Sequence, residues 1–164
     1  MNVVAAVVVV TNLGYVAAFD TATRCPAWVQ YDLAPAEVVA APRAPFKFTP
    51  DPRIPESDNW ADYSRSGYDR GHLAPAADFN YDTNALRETY HFSNVVPQVP
   101  SVNRGQWAEI EREVRNLASS GTVHVLTFPE GTGERRAGRV SVPSNLWKIA
   151  WGNFGVRVWT VPNF

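Results

Sequence analysis

The chain has 164 residues, of which 45% are hydrophobic and 12% aromatic, and its formal net charge at pH 7 is −1. This length fits a single domain over residues 1–164, the apolar content excludes a disordered chain, and the balanced charge argues against a protein that coats nucleic acid through bulk electrostatics. No apolar run approaches the roughly 18 residues that a membrane-spanning helix requires, so we expect a soluble globular domain.

The N-terminal part of the chain predicts strands. Residues 3–10 form an apolar run, and residues 12–14 (Asn-Leu-Gly) supply turn chemistry before an apolar returning strand at 15–19. Residues 28–33 alternate between apolar and polar side chains, which is the period of a half-buried strand. Because the first run lacks a basic leader, we interpret it as a strand, while an atypical export signal stays open.

A lone cysteine and a proline-rich stretch follow. Cys25 has no second cysteine for a disulfide or a zinc cluster, and we interpret it as a half-buried, inert thiol rather than a nucleophile. Prolines stand at six positions between 35 and 55, and since each removes a backbone donor, we expect an irregular surface loop. Arg43 and Arg53 lie in this loop.

Helical signals appear in the middle of the chain. A short helix is predicted at 83–90 and a longer one at 103–118, where apolar residues recur every three or four positions. We expect Pro100 to stop any earlier helix and Ser101 or Asn103 to cap the long one.

The C-terminal part returns to strand patterns. Four strands are predicted, with a loop at 131–138 between the first two: 122–128, 139–142, 145–151 and 156–161. Many strands and few helices favour an α+β domain built on an antiparallel sheet.

The segment Asp69-Arg70-Gly71-His72 combines an acid, a guanidinium, a glycine and a histidine. On an extended strand Arg70 and His72 point to the same face, so that face would carry a phosphate-binding group beside a base that titrates near neutral pH. Gly71 would permit a close approach between them. A histidine taken alone is more often a hydrogen-bonded structural group, and that alternative stays open.

A second pattern places Asn103, Trp107, Glu111 and Arg115 four residues apart. On an α-helix these side chains would form one slanted row, and an amide oxygen, a carboxylate and a guanidinium suit a hydrated Mg²⁺ ion and its phosphate ligand. The alternative is a surface Glu–Arg pair, which contributes only about 0.3–0.5 kcal/mol. We expect Trp107 to pack in the core.

Together these two patterns resemble the signature of the DNA/RNA non-specific endonucleases, the ββα-metal or His-Me finger nucleases. The resemblance begins with the segment Tyr-Asp-Arg-Gly-His-Leu-Ala-Pro at residues 68–75 and covers nearly the whole chain. Further segments match the family in order and spacing: 26–31, 93–98 and 142–148. The implied fold is α+β, with an antiparallel sheet and a ββα-metal catalytic motif.

The resemblance implies a role for each site residue. His72 would be the general base that activates water, and Asn103 would ligate one Mg²⁺ directly. Glu111 would hold metal-bound waters, and Arg70 and Arg115 would bind phosphate and stabilise transition-state charge.

Two assignments are less direct. The family has a further site arginine that corresponds to Arg43 in the proline-rich loop, with Arg53 as a competing candidate. Asp69 is expected to orient the strand or a neighbouring group rather than to bind the metal.

The implied activity is hydrolysis of phosphodiester bonds in DNA and RNA, with Mg²⁺ as cofactor and Mn²⁺ as a substitute. The expected partners are nucleic acids and not membranes; a homodimer, a protein inhibitor and the compartment (secreted, mitochondrial or virus-encoded) stay open. The alternatives are a nuclease fold retained as a non-catalytic nucleic-acid or protein binder, and a structural module that exposes aromatic side chains.

Overall fold

The computed structural model describes residues 6–39, 46–131 and 135–164. These residues form ten strands: β1 (Val7–Thr11), β2 (Tyr15–Asp20), β3 (Cys25–Leu33), β4 (Asp69–His72), β5 (Val95–Gln98), β6 (Val123–Glu130), β7 (Arg135–Ala137), β8 (Val140–Val142), β9 (Asn145–Gly152) and β10 (Gly155–Pro162). The helices are α1 (Trp60–Tyr63), α2 (Thr83–Glu88), α3 (Pro100–Val102) and α4 (Ala108–Ala118), with a π-helical turn at Asn103–Trp107. No helix among the described residues is long and apolar enough to cross a bilayer.

Six strands form one antiparallel sheet in the order β1-β2-β3-β6-β9-β10. The predicted turn at 12–14 closes the first pair, where the Asn12 amide donates to the Tyr15 carbonyl at 2.8 Å. Two smaller antiparallel pairs stand apart from this sheet, β4 with β5 and β7 with β8. The α+β class and its antiparallel sheet are confirmed.

One face of the large sheet carries the core. Along β6, Val123, Val125 and Thr127 are buried while the side chains between them are partly exposed, as alternation along a strand requires. The helix α4 contributes Ile110 and Val114 to the same core. This packing fixes α4 relative to the sheet and leaves its polar face for the site.

The long helix differs from the prediction at its start. Pro100 does not precede it but occupies its first turn, with Val99 at the N-cap. Proline is favoured there because the first amide has no partner within the helix and the fixed φ suits helical geometry. The following π-helical turn contains Gly105 in a non-helical conformation (φ −107°, ψ −110°).

Two smaller expectations also change, and a third falls on residues that the structure does not describe. The predicted loop at 131–138 contains β7 in its described part, because Arg135–Ala137 pairs with β8. Cys25 is buried, with 1% of its surface exposed, rather than half-buried. Arg43 lies outside the described residues.

Candidate active site

The site is built on a strand–strand–helix arrangement. β4 pairs with β5 so that His72 lies opposite Val95, and the chain leaves β5 directly into α3 and the helical segment that follows. A cleft of about 240 Å³ opens between β4 and this segment. The residues around it include His72, Ala76, Asn103, Arg104, Ala108 and Glu111.

The strand β4 directs its two predicted functional side chains to one side. The His72 ring lies 5.1 Å from the Phe48 ring, and the Arg70 guanidinium carbon lies 5.8 Å from the same ring. Gly71 faces the other way against Gln98, and a Cβ at this position would collide with the Gln98 side chain. The glycine is therefore required by close packing of β5 rather than by an approaching ligand.

Three hydrogen bonds fix the backbone of His72 and Leu73 in place. The Trp107 indole donates to the His72 carbonyl at 3.3 Å, and Lys148 Nζ donates to the Leu73 carbonyl at 3.1 Å. The Asn94 carbonyl accepts from the Leu73 amide at 3.0 Å. These bonds hold the end of β4, so the imidazole stands on a rigid support.

The π-helical turn decides which helix residues reach the cleft. Trp107 is fully buried, as expected of a core residue, whereas Asn103, Ala108 and Glu111 line the cleft. The predicted single row of four side chains is therefore wrong at Trp107. An i→i+5 turn has more residues per turn than an α-helix, so a spacing of four no longer keeps one face.

Asp69 orients the first helix residue of the site. Its Oδ2 accepts from Asn103 Nδ2 at 2.9 Å, and its two oxygens accept from Arg104 at 2.7 and 2.8 Å. Burial alone would raise the pKa of Asp69, but the hydrogen bonds from Arg104 and Asn103 hold it below its ordinary value. Because the amide nitrogen of Asn103 is engaged, its carbonyl oxygen is the atom left to serve as a ligand.

This donor set fits a hydrated divalent cation. The described residues contain no cluster of three or more His, Cys, Asp or Glu side chains that would hold a metal ion. The cleft instead offers the Asn103 amide oxygen and the Glu111 carboxylate. Mg²⁺ prefers oxygen ligands and usually keeps several of its waters, which matches one direct ligand and one carboxylate.

Comparison with known proteins identifies the family of the chain. The family model described as DNA/RNA non-specific endonuclease matches residues 3–159.

The chain belongs to the DNA/RNA non-specific endonuclease family.

Relatives support the assignment. The chain is 37% identical over 155 residues to the mitochondrial nuclease EXOG of Xenopus laevis, covering 84% of this chain and 43% of the relative. It is 33% identical over 172 residues to human mitochondrial endonuclease G, covering 91% and 58%. A solved EndoG/EndoGI complex contains a chain with a TM-score of 0.85 and 30% identity, covering 95% of this chain and 74% of that one. The chain spans less than half the length of the EXOG relative.

Arg70 does not line this cleft but lies in an aromatic enclosure two residues before His72 on β4. Its guanidinium carbon is 4.6 Å from the Trp60 ring centroid and 5.7 Å from that of Tyr63. Its Nε is buried and has no hydrogen-bond acceptor among the described residues. The positive charge is thus held by aromatic faces and is not neutralised by a carboxylate within the described ranges.

Arg115 has a different environment. Its Nη1 donates to Asp78 Oδ1 at 2.7 Å, and the other Asp78 oxygen accepts from the Tyr31 hydroxyl at 2.7 Å. Burial raises the pKa of the Asp78 carboxyl, although the Arg115 charge opposes this. Arg115 does not line the cleft that contains His72.

The loop arginine Arg53 binds protein groups outside the cleft. It forms a 2.7 Å ion pair with buried Asp51 and donates to the Thr11 carbonyl and the Asn12 side chain. These bonds tie the loop to the β1–β2 turn, which gives Arg53 a structural explanation.

Three contributors were missed in the sequence: Phe48, Trp60 and Asp78. Phe48 and Asp78 are each more than twenty positions from their arginine partners, and Trp60 lies in a helix of only four residues, so no local periodicity marks them. Lys148 belonged to a segment that matches the family, but its burial beneath the cleft had no signal in the sequence pattern.

Proposed function

We propose that this chain is a divalent-metal-dependent endonuclease that hydrolyses phosphodiester bonds of DNA and RNA. The observation that carries the proposal is the cleft in which His72 faces the same space as Asn103 and Glu111, with Arg70 two residues from the histidine on the same strand. Mg²⁺ is the proposed cofactor and Mn²⁺ its substitute.

His72 is the proposed general base. Its ring takes a proton from a water molecule as the water oxygen forms a bond to phosphorus, and the bond from phosphorus to the leaving oxygen breaks. The leaving oxygen then takes up a proton from solvent. The bonds from Trp107 and Lys148 to the carbonyls of residues 72 and 73 keep the ring in position during this step.

Asn103 and Glu111 would hold the cation, the first through its amide oxygen and the second through coordinated water. A divalent cation at this place supplies positive charge to the phosphate oxygens. Asp69 keeps the amide of Asn103 turned so that its oxygen remains available. Partners that orient a metal ligand in this way commonly change metal affinity by about 10- to 100-fold when removed.

Arg70 is the proposed phosphate ligand. A guanidinium without a protein carboxylate binds a phosphate oxygen and stabilises the charge that develops during cleavage. For Arg115, whose Nη1 is bonded to Asp78, we propose mainly a positioning role: it ties α4, and with it Glu111, to the segment that contains Asp78.

Weak sequence selectivity follows from these roles. Groups that contact phosphate and metal read no base identity. Because water rather than a 2′-hydroxyl attacks, the same residues act on DNA and RNA.

The test is digestion of circular DNA and of RNA, with Mg²⁺ or with a chelator. We expect internal nicking that needs the metal, and loss of cleavage in His72→Ala with an unchanged circular dichroism spectrum. Arg112→Ala is the matched control, because Arg112 is exposed and its nearest carboxylate lies 4.0 Å away. Full activity in His72→Ala would remove the proposed base, and DNA retention without nicking would favour the non-catalytic alternative.

A protein inhibitor is a further proposed partner. The EndoG structure that this chain resembles was solved with EndoGI in a complex described as the mechanism of EndoG inhibition. An inhibitor of this chain would compete with DNA in the cleavage assay. A homodimer stays a prediction, which sedimentation of the purified chain would test.

A further inference from the structure

Trp60 is the most exposed of the six tryptophans, with 49% of its surface accessible. It begins the short helix α1, and its ring meets Phe92 edge-on, with centroids 6.5 Å apart. Single exposed apolar side chains are ordinary on a protein surface, so the neighbours of Trp60, and not its exposure alone, must supply an explanation.

The position of Trp60 relative to the cleft supplies one. Its ring lies 4.6 Å from the guanidinium carbon of Arg70, the proposed phosphate ligand. Arg70 and His72 both contact the Phe48 ring. The indole therefore stands beside the group that would hold a phosphate, on the strand that also carries His72, although neither Trp60 nor Arg70 lines the cleft itself.

A single nucleotide could contact both Arg70 and Trp60. A nucleotide joins its phosphate to its base through one sugar, so a phosphate on Arg70 brings an adjoining base close to the indole. Aromatic side chains bind bases by stacking, and an arginine beside the ring adds its own attraction. The nearly neutral chain has little bulk charge with which to capture nucleic acid, so a stacking contact would add affinity that electrostatics does not supply.

We propose that the exposed part of the Trp60 ring is a stacking platform for an unpaired nucleobase, which makes single-stranded or locally unstacked nucleic acid the better substrate of this chain. This inference rests on the proposed nuclease function. Bases in a duplex are stacked on both faces and meet such a platform only after they are unstacked.

The competing explanation is that Trp60 only supports Arg70. A supporting ring would affect every substrate equally, since all of them carry phosphates. A stacking platform affects only substrates that offer a free base. The ratio between substrates therefore separates the two roles.

The experiment compares wild type with Trp60→Ala, Trp60→Leu and Trp60→Phe. Each is assayed on a single-stranded oligonucleotide, on its duplex, and on a strand of the same length built from stable abasic residues. Leucine keeps an apolar side chain against Arg70 and Phe92, and phenylalanine keeps an aromatic face. Leu13→Ala, which shortens an exposed apolar side chain at the β1–β2 turn, is the matched control.

We expect Trp60→Ala and Trp60→Leu to raise KM on the single strand about five- to tenfold, with a change below about twofold on the duplex and the abasic strand. Trp60→Phe should retain most of the single-strand preference. Equal changes on all three substrates, or no change in Trp60→Ala, would overturn the platform.

Binding without turnover separates this inference from the nuclease proposal. In chelator, fluorescence anisotropy of a labelled oligothymidine should show the same loss in Trp60→Ala and none on the abasic strand. If wild type binds with this difference but does not cleave with metal, the nuclease proposal fails while the platform stands. If wild type cleaves but shows no difference between strands, the platform fails alone.

Discussion

Arg70 and Arg115 are the same residue type in two opposite environments. Arg70 lies on β4 among aromatic rings, and its buried Nε has no acceptor among the described residues. Arg115 lies on α4 and forms a 2.7 Å ion pair with Asp78, whose side chain is fully buried. Both were expected to bind phosphate, yet only Arg70 is without a carboxylate partner within the described ranges.

The difference shows that the partner, and not the residue type, decides what a guanidinium contributes. A buried carboxylate uses the positive charge for stability, because separating such a pair leaves an unpaired charge in the interior. Aromatic faces hold the same group in place while leaving its charge for an anion. The variants below separate these two uses of arginine.

The largest loss of folding stability is expected for Arg115→Ala. Without its partner the Asp78 carboxylate is left buried and unpaired, which costs roughly 3–5 kcal/mol of unfolding free energy. Urea denaturation followed by circular dichroism measures this loss. The double variant Arg115→Ala with Asp78→Asn should recover part of it, because the amide carries no charge; additive losses in the double variant would contradict a direct pair.

Arg70→Ala should lower activity strongly and stability only slightly, the reverse of what we expect for Arg115→Ala. We expect kcat/KM on DNA to fall about 100-fold, because one charged donor to the reacting phosphate is lost. The unfolding free energy should fall by about 1 kcal/mol or less, the size of a cation–π contact. Steady-state kinetics and urea denaturation of the same preparation measure both; a large loss of stability with little loss of kcat/KM would show that the two arginines do not differ as described.

The sequence predicted the parts of the molecule that local patterns control. Apolar runs located β1 and β2, alternation located residues 28–33 of β3, and the motif at 69–72 identified a strand with Arg70 and His72 on one side. Long-range partners were out of reach: Arg115 and Asp78 are 37 positions apart, and Asp78 lies in a short 3₁₀ turn without periodicity. The π-helical turn was also missed, since a spacing of four fits an α-helix equally well.

Lys148 extends the comparison to a buried cation whose hydrogen bonds within the described ranges go to neutral groups, while the charges of Glu111 and Asp78 act on it without a hydrogen bond among those described. Its Nζ is buried and donates to the Leu73 carbonyl and the Thr127 hydroxyl, and burial lowers its pKa from 10.5 to about 8. Between these two values the unfolded chain holds a proton that the folded chain has released, so raising the pH through this window favours the folded state.

Lys148→Met removes this titration and serves as the reference. The unfolding free energy of wild type relative to the variant should rise by roughly 1–2 kcal/mol between about pH 8 and pH 9.5. Tyrosines that ionise in alkali are common to both chains and cancel in the difference. A difference that stays flat across this range, measured by urea denaturation, would contradict a depressed pKa for Lys148.

The cleft itself is tested most directly by the Mg²⁺ dependence of DNA cleavage in Asn103→Ala, with Arg112→Ala on the neighbouring helix α4 as the surface control. Because Asn103 is the proposed direct ligand, we expect the Mg²⁺ concentration for half-maximal cleavage to rise at least about tenfold, or cleavage to be lost, while the control follows wild type. An unchanged Mg²⁺ dependence in Asn103→Ala would contradict a metal-dependent active site between β4 and α4.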